Sequence, residues 1–452
     1  MMLITCTRYW LILFVSLPLS AGILAIHGCA KKHAAPTEPE EPAVQVDPQI
    51  VEWLKSNCIP FATSKPGGGS EDLMPLKSIV GSARIAALGE ATHGTKEFFE
   101  MKHRMLQFLV EEMGFNIFAI EAYWPESNLV NDYIQTGHGD PARLLAGLGL
   151  WTWNTQEVLD MILWMRQHNE NPGNAPKISF CGFDMQRAQM AIDSVIAYLS
   201  RVDAPAATWA GSLYTPFYPY SNSGSSYTNA SAGVKSVCSW NVQVVYEHLL
   251  DHRQEYELKS SPTQFAFALQ AARIAVQMEA FFGVQHGPDR EGFMAENAEW
   301  WVTQGGPNAK IVLWAHNSHV STYQYTMGRV LRSVYGREMV VFGFDFASGS
   351  FNAYPYDLQT NTATGSLTHF EVELPPSDSY EYIFQAASLP RFFLDMREPP
   401  SWLLGPLRFR SIGAVYDQSS PLTYYAPVPL PSMFDVLIYF QHTSPSTLLP
   451  FY

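Results

Sequence analysis

The sequence has few charged side chains and fewer cations than anions. Charged residues make up 15% of the 452 residues, with 28 Lys and Arg against 42 Asp and Glu. The resulting formal charge of −14 argues against a nucleic-acid partner, because binding a phosphate backbone requires a basic surface. Hydrophobic residues make up 47% of the chain, which excludes wholesale disorder and predicts a substantial buried core in one large domain or two ordinary ones.

Cysteine is also scarce, with five in the whole chain. Three of them, Cys58, Cys181 and Cys238, lie beyond the N-terminal segment. Three cysteines allow one disulfide and cannot form a disulfide framework. Cys181 lies in the apolar run ISFCGFD, so we expect it in the core.

Two common catalytic motifs are missing from the sequence. There is no G-x-S-x-G elbow, which disfavours an ordinary serine hydrolase, and no H-E-x-x-H zinc motif. The segment from His248 to His252 imitates an inverted zinc motif but has Asp251 where that motif needs Glu. We interpret this segment as the polar face of an amphipathic helix.

The N-terminus has the features of a secretory signal. Arg8 precedes an apolar run over 9–26, and His27 and Gly28 then lead to Cys29. A basic start, an apolar run and a small residue before the cut site are typical of such signals. A Cys directly after that small residue resembles the lipobox of bacterial lipoproteins, in which cleavage leaves a lipidated first residue. The alternative is a single N-terminal membrane helix, since the run is near the minimum spanning length.

This interpretation divides the chain into a signal peptide over 1–28, a flexible linker over 29–47 after the lipidated Cys29, and a folded domain over 48–452. We therefore expect an extracytoplasmic, membrane-anchored lipoprotein on the periplasmic side. Ala30 lacks the acidic side chain that commonly retains lipoproteins in the inner membrane, which favours the outer membrane.

Short apolar segments alternate with helical patterns along most of the domain. This alternation predicts an α/β fold with a largely parallel sheet flanked by helices. Strands are predicted at 82–90, 116–122, 177–184, 309–317 and 337–346, and helices at 95–113, 127–136, 157–169 and 189–199.

The region from about 202 to 289 interrupts this alternation. It begins with a segment rich in Tyr, Pro and Ser over 214–227, interpreted as an irregular surface loop, and continues with helices predicted at 240–257 and 262–282. By analogy with other α/β proteins, we expect this helical insertion to form a cap or a cleft wall.

The segment LGEATHG combines a carboxylate and an imidazole directly after a predicted strand. Glu90 and His93 are three residues apart, and Gly89 and Gly94 permit a tight turn. A carboxylate beside an imidazole raises its basicity and fixes its tautomer, as a general base requires. The alternative is an ordinary helix start that Thr92 caps.

A second pair of basic groups follows the strand IVLW. His316 and His319 have the same spacing of three, which suits catalysis or metal ligation. The alternative is one structural histidine and one facing solvent. Glu121 and Asp184 also fall at predicted strand ends, and the carboxyl ends of parallel strands meet at one edge of the sheet.

These segments, taken in order, resemble the erythromycin esterase family. GEATHG, EFFEMKHRM, FAIEA, EVLDMILWMRQHN, GFDMQ, REGFMAEN and WAHNSH carry the resemblance, which covers about residues 86–345. It implies an α/β hydrolase that opens the lactone ester of macrolides without a serine nucleophile. The family's active-site positions correspond here to Glu90, His93, Lys102, Glu121, Arg290, His316 and His319.

The resemblance and the residue chemistry together suggest a division of roles. His93 is assigned as the base that deprotonates water, with Glu90 and Glu121 as its orienting and electrostatic partners. His319, Lys102 and Arg290 are assigned to carbonyl polarisation or oxyanion stabilisation, and His316 to water positioning or proton delivery. The position of Lys102 is usually Arg in the resistance esterases, so charge is retained while the geometry toward substrate differs.

Two alternatives remain open at this stage. The assignment needs no cofactor, but the two carboxylates and three imidazoles, Glu90, His93, Glu121, His316 and His319, could instead hold a divalent metal in a hydrolase acting on another ester or an amide. A lipoprotein that only binds a ligand in the same cleft is the other alternative. A macrolide would suit an acidic protein, since its amino sugar is protonated.

Overall fold

The computed structural model describes residues 45–174, 176–283 and 290–452. The expected signal peptide, the lipidated Cys29 and most of the expected linker lie outside these residues. Among the helices of the described ranges, none is both long enough and apolar enough to span a bilayer. The described residues divide into two compact units, one within 43–185 and 288–452 and the other within 186–287.

The helices of the larger unit flank its sheet or lie between its strands. They are α1 (Pro48–Asn57), α2 (Leu76–Val80), α3 (Lys96–Met113), α4 (Trp124–Thr136), α5 (Pro141–Gly147) and α6 (Gln156–Glu170). After the smaller unit, whose six helices are described below, the larger unit continues with α13 (Arg290–Gln304), α14 (Asn317–Val320), α15 (Met327–Tyr335), α16 (Tyr380–Ala386) and α17 (Leu430–Met433).

Among the described residues, all of the strands belong to the larger unit. They are β1 (Ile59–Pro60), β2 (Ile85–Leu88), β3 (Ile117–Tyr123), β4 (Ser179–Asp184), β5 (Ile311–Trp314), β6 (Met339–Asp357), β7 (Thr362–Ala363), β8 (Thr368–Val372), β9 (Arg391–Asp395), β10 (Leu407–Arg410), β11 (Val415–Tyr416), β12 (Tyr425–Val428) and β13 (Val436–Thr443).

The main sheet has the order β1-β9-β13-β6-β2-β5-β3-β4. The pairings from β13 to β4 are parallel, while β1–β9 and β9–β13 are antiparallel. The predicted α/β class with a largely parallel sheet is therefore confirmed. Each of its predicted strands and flanking helices corresponds to an observed element.

Continuous apolar sequence explains why the central strands are covered on both faces. All four residues of β2 and all seven of β3 are buried, as expected for parallel strands between two layers of helices. On one face, Phe98 of α3 packs edge-on against Phe344 of β6, with ring centroids 5.3 Å apart. This packing places the start of α3 next to the end of β2, where Glu90 and His93 lie.

The smaller unit is helical in its described residues. Its helices are α7 (Gln189–Val202), α8 (Ala204–Tyr214), α9 (Gly224–Thr228), α10 (Ala232–Asp251), α11 (Arg253–Lys259) and α12 (Pro262–Gly283). The helix predicted over 262–282 is confirmed. The single helix predicted over 240–257 is wrong, because the chain breaks at His252 into α10 and α11.

The irregular surface loop predicted over 214–227 is also wrong. The segment contains the end of α8, a short 3-10 turn and the start of α9. Tyr214, Phe217 and Tyr227 are buried, and the rings of Phe217 and Tyr227 lie 5.0 Å apart. Burying three aromatic rings orders a segment whose Pro and Ser content alone suggested a loop.

Cys58, Cys181 and Cys238 are free thiols and all are buried. The disulfide that three cysteines would allow is therefore not formed among the described residues. Burial raises the pKa of the Cys181 thiol, in keeping with the expected core position.

Candidate active site

The polar residues at the strand ends come together at the carboxyl edge of the parallel sheet. Glu90 and His93 follow β2, Glu121 lies near the end of β3, and His316 and His319 follow β5. Since β2 and β3 both pair with β5, the three segments are neighbours at this edge. The sequence-predicted residues of these segments thus share one buried cluster, which we call the catalytic cluster, with Lys102 of α3 and Arg290 of α13.

Tight packing around two glycines fixes the loop that carries Glu90 and His93. A Cβ atom on Gly89 would collide with the side chain of Asn317, and one on Gly94 would collide with the backbone of Asn352. The Asn317 amide also donates to the Glu90 carbonyl oxygen at 2.9 Å, tying this loop to the one after β5. Gly89 and Gly94 therefore allow this loop to lie closer to Asn317 and Asn352 than a residue with a Cβ atom could.

Glu90 is fully buried, and both of its carboxylate oxygens are hydrogen-bonded. Oε1 lies 2.6 Å from Nδ1 of His93, while Oε2 accepts from Lys102 Nζ at 2.6 Å and from the Trp314 indole at 2.7 Å. Burial by itself would raise the pKa of Glu90, but Lys102 and His93 outweigh it and hold that pKa below its usual value. Glu90 is therefore an ionised carboxylate in the interior.

His93 has its imidazole oriented by this carboxylate. Because ionised Glu90 can only accept at Nδ1, the proton of His93 lies on Nδ1, and in that neutral tautomer the lone pair lies on Nε2. The ring stands 5.1 Å from that of His316 and meets Trp153 edge-on at 5.9 Å. The arrangement provides an oriented imidazole, as general-base catalysis requires.

Lys102 is also fully buried, and its ammonium group faces Glu90. Its Nζ lies 4.3 Å from the ring centroid of Trp314 and 5.3 Å from that of Phe344, so aromatic faces contribute to its stabilisation. Burial lowers the pKa of Lys102 to about 8, although Glu90 and Glu121 oppose this shift. The charge of Lys102 is thus used to neutralise Glu90.

Glu121 is the second carboxylate of the cluster. Its Oε1 accepts from Arg290 Nη2 at 2.9 Å and lies 3.3 Å from His319 Nε2, and its Oε2 accepts from the His316 backbone amide at 3.1 Å. Burial would raise the pKa of Glu121, but His319 and Arg290 hold it well below the usual value. Asp184, at the end of β4, accepts from Arg290 Nη2 at 2.7 Å and Nε at 3.3 Å.

The two histidines after β5 are in opposite electrostatic situations. His319 has carboxylates at both ring nitrogens, and although burial opposes the charge, Glu121 and Glu291 raise its pKa to about 10. In His316, Nδ1 accepts from the Ser318 amide at 3.2 Å, so Nε2 carries the proton and donates to the Ile412 carbonyl at 3.1 Å. Burial lowers the pKa of His316 to about 3. The neighbouring carboxylates thus favour the charged form of His319, whereas burial favours the neutral form of His316.

Four further residues of the cluster had no role assigned from sequence. Trp314 and Glu291 lie inside the quoted family segments, and Trp153 lies outside them. The Trp153 indole donates to the Glu121 carbonyl oxygen at 2.8 Å. Asp184 lies at a predicted strand end. A signal for Glu291 existed in its position directly after Arg290.

A metal site is not formed by these side chains as they are placed. No group of three or more His, Cys, Asp or Glu side chains is arranged to hold a metal ion anywhere in the residues that the structure describes. The physical reason is that protein cations already occupy the carboxylates, Lys102 at Glu90 and Arg290 at Glu121. The donor set therefore does not fit a metal in this arrangement.

A separate cavity of about 560 Å³ lies elsewhere in the larger unit. Lys96, Glu97, Arg391 and Phe440 are among its lining residues, and none of the predicted site residues is. The density of charged, hydrogen-bonded groups locates the candidate site better than cavity size does.

Comparison with known proteins gives a consistent picture. The family model described as "Erythromycin esterase" matches residues 110–443. Erythromycin esterase type II of Escherichia coli is 24% identical over 395 residues, which are 80% of this chain and 93% of that protein. A putative hydrolase of Bacillus subtilis (strain 168) is 22% identical over 433 residues, 88% of this chain and 92% of that protein.

Solved structures agree with the fold. A Bacillus cereus protein has a TM-score of 0.79 at 28% identity, covering 89% of this chain and 99% of its own. A succinoglycan biosynthesis protein has a TM-score of 0.78 at 27% identity, covering 91% and 100%. A mutant of the erythromycin esterase EreC in its open conformation has a TM-score of 0.67 at 15% identity, covering 86% and 98%, and supports the fold alone.

Proposed function

The chain belongs to the erythromycin esterase family and is a hydrolase, and from this premise we propose that it cleaves a carboxylic ester or lactone with a water molecule that His93 activates. The observation that carries the proposal is the 2.6 Å contact between His93 Nδ1 and a Glu90 carboxylate that Lys102 keeps ionised. No serine elbow is needed, in keeping with its absence from the sequence.

The first step of the proposed reaction is proton abstraction from water by Nε2 of His93. Glu90 holds the tautomer in which Nε2 has the lone pair, and it stabilises the imidazolium that forms when the proton arrives. Lys102 acts on Glu90, because its ammonium is packed between that carboxylate and aromatic rings. This changes the role suggested for Lys102 from oxyanion stabiliser to partner of the orienting carboxylate.

The second requirement is positive charge for the tetrahedral oxyanion. Arg290 and His319 are the cations around Glu121, and both are held in place by additional carboxylates, Asp184 and Glu291. Cations fixed before the reaction stabilise developing negative charge without reorganisation. His316, whose two ring nitrogens already have protein partners, then serves to shape the cluster through Ile412 and Ser318.

The substrate class is proposed as a lactone or another carboxylic ester of a small molecule. Macrolides are the first candidates, since the E. coli relative is an erythromycin esterase. A net charge of −14 favours a substrate that carries a protonated amine, as a macrolide amino sugar does.

The test is incubation of the purified full-length protein with a panel of macrolides, simple lactones and linear esters, analysed by mass spectrometry. We expect a mass gain of one water on at least one substrate, loss of that activity in His93→Ala, and full activity in His369→Ala, an exposed histidine on β8. Near-full hydrolysis by His93→Ala would refute the assignment of the base.

A chelator arm in the same assay separates the metal-dependent alternative. We expect chelation to leave hydrolysis unchanged, because Lys102 and Arg290 already neutralise the carboxylates. Activity that is lost on chelation and returns with one specific divalent ion would establish metal dependence. Absence of turnover across the whole panel would favour the alternative of a ligand-binding lipoprotein.

We also propose that lipidated Cys29 anchors the mature protein to the periplasmic side of a membrane, with the outer membrane favoured by Ala30. Support comes from the order of basic, apolar and small residues before Cys29 in the sequence. Metabolic labelling with a fatty acid should mark the wild-type protein and not Cys29→Ser. Equal labelling of both proteins, or of neither, would contradict the anchor.

A further inference from the structure

His319 lies between two carboxylates on opposite sides of its ring. Nδ1 is 2.6 Å from Glu291 Oε1, and Nε2 is 3.3 Å from Glu121 Oε1. We propose that Glu291 is a positioning residue that holds His319 as a fixed imidazolium beside Glu121. The inference rests on the proposed function for its catalytic meaning, although the charge of His319 can be tested without a substrate.

The two carboxylates at the ring favour the charged form. An ionised carboxylate accepts hydrogen bonds and cannot donate, so a proton on Nδ1 suits Glu291 and a proton on Nε2 suits Glu121. Only the imidazolium has protons on Nδ1 and Nε2 together. A neutral ring protonated on Nδ1 would instead accept from Arg290 Nη1 at Nε2, so the titration of His319 distinguishes the two forms.

Glu291 is itself held at both oxygens. Its Oε1 contacts His319, while its Oε2 accepts from the backbone amide of Met327 at 2.8 Å. Met327 is the first residue of α15, and the N-terminus of a helix stabilises a nearby carboxylate. The direction from Glu291 to His319 is therefore set by two helices, α13 and α15, which pack against each other.

The charges around His319 come from several elements, and all of them bear on its titration. Glu291 and Arg290 face it from α13, Glu121 from β3, and the imidazoles of His316 and His93 are nearby in the cluster. Arg290 Nη1 is 3.3 Å from His319 Nε2, so this cation opposes the charge on His319. The Glu121 carboxylate pairs with both Arg290 and His319 Nε2. Glu291 is the carboxylate that pairs with the other ring nitrogen of His319, Nδ1.

The cluster thus holds three histidines in three distinct arrangements. His93 has one carboxylate at Nδ1, which orients a base, and His316 has an amide donor at one nitrogen and a carbonyl at the other, which fixes a neutral ring. His319 alone of these three has a carboxylate at each nitrogen. A cation that keeps its proton suits carbonyl polarisation, whereas an exchangeable proton suits His93.

The proposal is tested with Glu291→Gln, which keeps the side-chain length and an oxygen that can accept from Met327, and with Glu299→Gln on the same helix as a matched control. Histidine-labelled protein is titrated by NMR between about pH 5 and 9, a range that covers an ordinary histidine. We expect His319 to stay protonated across this range in wild type and Glu299→Gln, and to titrate near neutral pH in Glu291→Gln.

Kinetics on an identified ester give the second readout. With Glu291→Gln, kcat should fall about tenfold for each pH unit above the new pKa of His319, while KM changes little. An unaltered His319 titration in Glu291→Gln, with only a lower melting temperature, would overturn the proposal. If the NMR result holds and no ester is hydrolysed, the positioning role of Glu291 stands and the proposed reaction fails instead.

Discussion

Two groups of buried carboxylates lie in the same α/β unit and behave in opposite ways. In the catalytic cluster, Glu90 and Glu121 have pKa values below the usual range. Outside this cluster, Asp345 of β6 and Glu381 of α16 are both fully buried. Burial raises the pKa of each, most strongly that of Asp345. Burial is common to both groups, so burial does not explain the difference.

The difference follows from where the neighbouring cations direct their charge. Lys102 donates directly to Glu90, and Arg290 donates directly to Glu121. The cation beside the second group, Arg410, instead directs its guanidinium at the carbonyl oxygens of Phe346 and Ala347 and at Tyr425. The pKa values of Asp345 and Glu381 are therefore raised, whereas those of Glu90 and Glu121 are lowered. Direct ion pairing thus accompanies the lowered pKa values of the cluster carboxylates.

The largest effect that would sharpen this comparison is on turnover. Glu90→Gln removes the charge that orients His93, so kcat/KM should fall about 10²- to 10⁴-fold. Asp345→Asn introduces a neutral side chain of similar shape and should change kcat/KM by less than about threefold, because Asp345 is not part of the cluster. Steady-state kinetics on one ester measure both values of kcat/KM. Equal losses of kcat/KM in Glu90→Gln and Asp345→Asn would show that the two groups of carboxylates do not differ in their effect on turnover.

The next effect is on stability. Lys102→Met leaves Glu90 charged and unpaired in the interior, which should lower the free energy of unfolding by about 3–5 kcal/mol. Lys102→Arg retains the cation and should lose less. Lys77→Met, which breaks a partly exposed pair with Glu112, should cost about 0–1 kcal/mol. Urea denaturation at neutral pH measures all three, and a Lys102→Met midpoint equal to wild type would show that Glu90 is not held as an anion.

The smallest effect is on how stability depends on pH. Asp345 has a raised pKa in the folded state, so its contribution to stability is complete below the unfolded value of about 4 and is lost as the pH rises through the folded pKa. As the pH rises from about 5 to about 8, the free energy of unfolding of Asp345→Asn should therefore fall less than that of wild type. Parallel stability profiles for wild type and Asp345→Asn would mean that Asp345 is ionised in the fold.

The sequence predicted most of the α/β fold because the central strands are largely apolar and the helices between them are periodic. Glu90, Glu121 and His316 were placed correctly at the sheet edge because their strands end within two residues of them. The segment over 214–227 could not be predicted, since its order comes from rings that meet only in the folded chain.

Partners across the cluster were equally beyond sequence reasoning. The residue types of Lys102 and His316 were recognised, but whether Lys102 faces Glu90 or a substrate depends on how α3 packs against β2. Glu291 was missed because its partner His319 is 28 residues away in sequence. Residue identity thus suggested the chemistry, and contacts between elements assigned the roles.

In the proposed reaction, water attacks the ester directly, with His93 as base and without a covalent intermediate. The most direct test of this reaction is a single turnover in ¹⁸O-labelled water, using enzyme in excess over the ester, with mass spectrometry of the product and of the rapidly quenched protein. We expect one ¹⁸O atom in the product carboxylate of that first turnover and no acylated protein. Unlabelled product from the first turnover, or an acyl-enzyme that accumulates and decays, would contradict it.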